Sequence, residues 1–362
     1  AQLLKSDFNF IQVVKCSCHL IHLVSSYAAL KLPKSVEDFC RDLYAHFHRS
    51  SKRQDVYKEF QAFFGVEPLK LLSPAQTRWL SLQECVNRIL KQYEALKNYF
   101  VLTANDDPSH TNDRILASLQ NHFTQAYLEF LSYQLERLNA FNRLFQSEQP
   151  LLHNLKHEVE GLVKSIASDF IDLGIVKTTP VKDLDPSNFT QHVPLQQTYV
   201  RIAATSTIQS LKAEEEDINK FLVDYKNFLI ESILQIKNRF DLKAEYHDLV
   251  ECLQPQSAAN VYPRSLARIC EKMPCLKDVL DSSKLELEWR LQALDEKLNA
   301  NLPWEEHWLA VRDAKTPMDE PKYPNLIKRF ATLSSLPFSN AAVERVFSQV
   351  KLVKTDYRNF LK

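Results

Sequence analysis

From Asn112 to Ser147 the chain runs without a Gly or a Pro, and Leu116, Leu119, Phe123, Tyr127, Phe130, Leu131, Leu135, Leu138 and Phe141 recur mostly at three- and four-residue steps. That spacing draws one apolar stripe along an α-helix; a strand would need strict alternation. At a rise of 1.5 Å per residue the stretch predicts a rod of about 50 Å. Ile218, Leu222, Tyr225, Leu229, Ile233, Ile236 and Phe240 repeat the pattern. Stripes of this length bury themselves against one another, so the middle of the chain is expected to be a helical bundle or array. No fixed-period repeat marks a solenoid.

Glycine usage closes off other folds. Only three occur in 362 residues, and Gly65, Gly161 and Gly174 each stand alone. Isolated glycines cannot build a G-x-G-x-x-G or Walker-type phosphate loop, and tight hairpins lack their usual turn residue. One strand is expected, the β-branched run Phe10 to Cys16, leading into a helix that carries Leu20, Leu23, Val24 and Tyr27 and stops at Pro33. Two short helices follow between Ser35 and Phe64. A longer one, introduced by Pro74, carries Leu82, Val86, Ile89, Tyr93, Leu96 and Phe100. A shorter helical stretch covers Leu151 to Leu173, and Pro317, Pro321 and Pro324 read as a linker before the last segment.

Lys and Arg number 45 against 45 Asp and Glu, so no global field marks a nucleic-acid partner. His46, His48, Arg49, Lys52 and Arg53 form a local basic cluster that reads as a solvated loop. Seven scattered cysteines fit a reducing, intracellular compartment. No run of 18 apolar residues predicts a membrane span, and Ala1 to Asp7 hold no signal core. Opening on Ala1 and stopping at Lys362, the sequence is expected to be a fragment.

The end of the chain carries more than fold. Ser339 and Asn340 are cap-type residues that should start a helix with Val343, Val346, Phe347 and Val350 on one face. By spacing alone Glu344 is a first-turn acid favoured by the helix dipole. The string S-N-A-x-x-E-R-x-F-S, from Ser339 through Arg345, Phe347 and Ser348, continues with Lys354-Thr355 and Arg358-Asn359. It resembles the C-terminal signature of the hAT transposase superfamily, which includes domesticated host derivatives. Cys16-Ser17-Cys18-His19 is similar to that family's C-x-x-H motif and Thr77-Arg78-Trp79-Leu80 to its R-W motif.

The resemblance implies a mainly α chain with a partial RNase H-like α/β core interrupted by a large all-α insertion. Residues 1–80 would be the latter part of the core, 81–316 the insertion, and 317–362 the dimerisation segment with the last core helix. Glu344 matches the third catalytic carboxylate, which in intact members joins two aspartates to hold Mg²⁺ ions for attack on DNA. Asp7 is the sole acid before Cys16 and does not inherit an aspartate's role. The chain as given is therefore expected to need no cofactor and to leave DNA uncut. His19, Arg78 and Trp79 inherit a DNA-proximal role, against a reading of Trp79 as a core aromatic. Self-association as a homodimer or higher oligomer would use Val343, Phe347, Val350, Leu352 and Phe360. DNA and other proteins are further expected partners, with nuclear residence. The alternative is a domesticated host scaffold or transcription-associated interaction module without DNA chemistry. Cys16, Cys18, His19 and His22 invite a zinc reading, but their side chains diverge on one helix and no second ligand pair appears, so no structural metal is expected.

Overall fold

A computed structural model describes residues 15–73, 82–104, 108–147, 151–211, 213–240, 250–267, 281–335, 339–340, 343, 345–347 and 349–350. Helices dominate them. In chain order these are α1 (Ser17–Ala29), α2 (Lys34–His48), α3 (Ser51–Phe63), α4 (Leu82–Lys91), α5 (Tyr93–Thr103), α6 (His110–Gln120), α7 (His122–Leu144), α8 (Leu155–Ala167), α9 (Leu173–Thr178), α10 (Ile202–Ser210), α11 (Glu215–Arg239), α12 (Pro255–Ala259), α13 (Ser282–Gln292), α14 (Trp304–Asp313) and α15 (Pro324–Ser334). Among the described residues there is no strand, only the isolated antiparallel bridges Ile171 to His192 and Lys315 to Pro321. The expected strand at Phe10 to Cys16 falls outside them except for Lys15 and Cys16, which carry no regular structure. No described helix is long and apolar enough to cross a membrane.

The chain divides into two compact units, a helical body of residues 19–144 and 160–240 and a terminal unit of residues 1–18, 145–159 and 241–362. In the body, α7 lies against α4 and α10, α2 against α6 and α3, and α3 against α5. The apolar stripes meet as their spacing requires: Phe130 of α7 sits 4.4 Å from Tyr225 and 5.1 Å from Phe228 of α11, ring centre to ring centre. The α3 helix ends in a Schellman cap, with Gly65 at φ +63° and Val66 N–H donating to Gln61 O at 2.8 Å. That is the one described glycine whose conformation a side chain would resist.

Two expected single helices are each broken by a polar residue. At Asn121 the rod splits into α6 and α7, because the Asn121 side chain accepts from Phe123 N at 2.9 Å and so caps a new helix start. At Gln92 the helix expected after Pro74 splits into α4 and α5. Buried Gln92 accepts hydrogen bonds from Tyr57 and Gln61, and its own amide donates to Arg88 O. Apolar periodicity is blind to both breaks, since the stripe continues across them.

The basic cluster is also redistributed. His46 is buried, donating from Nδ1 to Asn112 Oδ1 (2.8 Å) and accepting at Nε2 from the Tyr99 hydroxyl (3.1 Å). Arg53 donates to His46 O at 3.1 Å, leaving His48, Arg49 and Lys52 on the surface at the junction of α2 and α3.

Candidate dimerisation site

In the terminal unit, α13 and α14 both pack on α15, and α12 packs on α13 and α14. The core is aromatic. Trp308 stacks on Phe330 at 4.4 Å and donates its indole N–H to Leu253 O at 2.7 Å, while buried Trp289 donates to Pro263 O at 2.9 Å. The indoles of Trp308 and Trp289 thus bury their surface without stranding their one polar atom.

What fixes α15 is a set of polar ties to its first turn. Pro324 takes N1, where a missing N–H costs nothing. The buried Glu288 carboxylate of α13 accepts from Leu326 N and from Asn325 Nδ2, both at 2.7 Å. An acid at this helix N-terminus satisfies free N–H groups and meets the positive end of the dipole. Just upstream, Asp295 accepts from Lys322 Nζ (2.7 Å) and the Tyr323 hydroxyl (2.8 Å). Lys322 thereby holds the Asp295 carboxyl below its ordinary range, with Tyr323 adding to the effect, and burial pushes the Tyr323 phenol up. Farther along α15, buried Arg329 donates to Cys252 Sγ at 3.1 Å; burial raises that thiol and the guanidinium opposes the rise. The proline cluster is a hydrogen-bonded turn and no extended linker: Thr316 N–H donates to Glu320 O and Lys322 N–H to Ala314 O, its tip from Pro317 to Pro321 is exposed, and Tyr323 beyond it is buried.

The structure brings together two sequence motifs more than three hundred residues apart. Asn340 N–H donates to Cys16 Sγ at 3.3 Å, and Cys18 Sγ shares a hydrogen bond with Ser339 Oγ at 3.3 Å. Two thiols at the start of α1 thus hold the residues that precede the last helical stretch. Sequence reasoning treated the cysteines and Ser339-Asn340 as separate signatures and missed the pairing. Their membership of one motif set was the available clue.

Beyond Asn340, residues 343, 345–347 and 349–350 are helical. Arg345 reaches Gln146 O with Nη1 at 3.2 Å. Val343, Val346, Phe347 and Val350 are 54%, 57%, 68% and 50% exposed. All four are therefore at least half open to solvent in the single chain. His19 is exposed on α1. Arg78, Trp79, Glu344, Ser348, Leu352 and Phe360 lie outside the described residues, and with them most of the expected DNA-proximal and catalytic positions. The Mg²⁺ ions implied by the resemblance need several converging carboxylates. Among the described residues no three His, Cys, Asp or Glu side chains converge, and Glu344 lies outside them.

No curated protein and no solved structure matches the chain. Residues 312–362 match the hAT family C-terminal dimerisation region, a span that opens at the end of α14 and takes in α15, the two residues held by the thiols and the exposed stripe. Over that span, and over that span alone, the chain is similar to the hAT family.

Proposed function

We propose that this chain is a self-associating hAT-type module whose contact surface is the outward stripe Val343, Val346, Phe347 and Val350, continued by Leu352 and Phe360. One observation carries the reading: within a segment matching a dimerisation region, four apolar side chains at helical spacing are all at least half exposed. A contiguous apolar stripe of this kind costs solubility unless a partner covers it. The dimer places two copies of the stripe in contact, and the tie of Cys16 and Cys18 to Asn340 and Ser339 sets its starting point. Co-expression of two differently tagged copies tests this. Capture of one tag should recover the other, and Phe347→Asp in both copies should abolish recovery. Recovery that persists in that variant contradicts the proposed surface.

DNA association through His19, Arg78 and Trp79 belongs to the same proposal, as does a partial RNase H-like core. The exposure of His19 and the start of α1 directly after Cys16 support them. Binding of a labelled duplex that weakens with His19→Ala is the expected result, and nuclear residence follows from it. Unchanged binding in that variant removes His19 from the reading.

A further inference from the structure

We infer that α13 and the turn after it supply a second patch of the self-association surface, formed by Leu287, Leu291 and Leu294, and that its occupant is a second copy of this chain. The inference rests on the self-association proposed above. It starts from the two faces of α13. Leu285, Glu288, Trp289 and Gln292 are buried and face α15 and α12, whereas Leu287, Leu291 and Leu294 are 58%, 43% and 77% exposed. At about 100° per residue Leu287 and Leu291 fall on the side of the helix away from the buried set, and Leu294 lies in the turn that follows Gln292. Leu287 and Leu291 are four residues apart, one turn along the same helix face, and Leu294 follows just past the helix end.

Surface leucines scattered singly need no explanation. These differ in what their helix is attached to. Glu288, in the same turn, holds the first turn of α15 through Leu326 N and Asn325, and Asp295, one residue past Leu294, holds Lys322 and Tyr323. All four tethered residues belong to the segment that matches the dimerisation region. The stripe on α13 therefore moves with that region as one piece.

Area argues in the same direction. At their exposures Val343, Val346, Phe347 and Val350 offer roughly 400 Å², about half of the roughly 800 Å² that each partner of a stable dimer buries. The three leucines add roughly 300 Å², which brings the two patches together close to that size. Lys284 and Arg290 flank the stripe and are exposed, giving it the polar rim that an interface carries.

The test measures the dimer dissociation constant of the full chain by sedimentation for the wild type, Leu291→Glu, the double variant Leu287→Glu/Leu291→Glu, and Phe347→Asp. Circular dichroism on the same samples checks folding. The expected result is a constant raised about tenfold or more by Leu291→Glu and further by the double variant, with helix content unchanged. If Phe347→Asp weakens the dimer while both leucine variants associate like the wild type, the α13 patch is refuted and the proposed self-association stands. A wild-type chain that is monomeric throughout refutes both. Should the glutamates unfold the unit, Leu287→Ser and Leu291→Ser replace them, and an unchanged constant in those variants equally overturns the inference.

Discussion

Replacing Phe347 by Asp separates a core role from an interface role. The ring is 68% exposed in the single chain, so about two-thirds of its surface is still available to a partner. Complete burial of a phenylalanine is worth about 1.5–3 kcal/mol, which leaves about 1–2 kcal/mol for this residue. A twofold interface contains the residue twice, giving about 2–4 kcal/mol per dimer. That corresponds to about a 30-fold to 1000-fold rise in the dissociation constant. Burying a carboxylate where the ring had been adds to the loss, so the estimate is a lower bound. Sedimentation velocity across a dilution series reads the constant, and far-ultraviolet circular dichroism reads the fold. The expected outcome is a weakened or absent dimer with an unaltered spectrum and melting temperature. An unchanged constant refutes the interface assignment, and a loss of helix signal refutes the claim that the ring stands clear of the core.

Three further outcomes follow from the hydrogen-bond geometry. His46→Leu removes the bonds to Asn112 and Tyr99 in a buried site and should cost the chain about 1–3 kcal/mol in urea unfolding; a change within error would show that the imidazole is dispensable. Because Asp295 titrates below its ordinary value, it contributes stability that is complete above the ordinary carboxylate value of about 3.9 and is lost as pH falls through the depressed value. Thermal melts should therefore show a shallower acid decline in Asp295→Asn than in the wild type, and identical slopes would contradict the tie to Lys322 and Tyr323. In Cys16→Ala/Cys18→Ala, amide exchange at Asn340 should accelerate because its acceptor is gone, and equal protection in both proteins would remove the thiols from the docking scheme.

Helices were legible wherever packing follows apolar spacing. Phe221, Leu222, Tyr225, Leu229, Ile233 and Ile236 form the buried face of α11, whereas α1 ends at Ala29, four residues before the expected stop at Pro33, which instead precedes α2. Asn121 and Gln92 escaped because a helix break at a polar residue, capped by its side chain at Asn121, leaves the apolar period intact. The proline-rich turn escaped for a related reason: composition marks a bend, whereas what fixes the residues just after it, Asp295 and Glu288, lies distant in sequence. The stripe of Val343, Val346, Phe347 and Val350 was visible as a period, but its outward direction depends on what lies beneath it. For Leu287, Leu291 and Leu294 the interleaved Leu285 and Trp289 hid the pattern, since both faces of α13 are apolar.

The central claim is that the outward stripe after Asn340 joins two copies of this chain. Light scattering of the full chain, diluted from tens of micromolar downward, tests it when the wild type is compared with a variant in which Val343, Val346, Phe347 and Val350 are all serine. The account predicts a wild-type mass that falls reversibly from dimer to monomer on dilution and a variant that is monomeric throughout with the same helix content. A wild type that is monomeric at every concentration, or a variant that dimerises as tightly as the wild type, would contradict it.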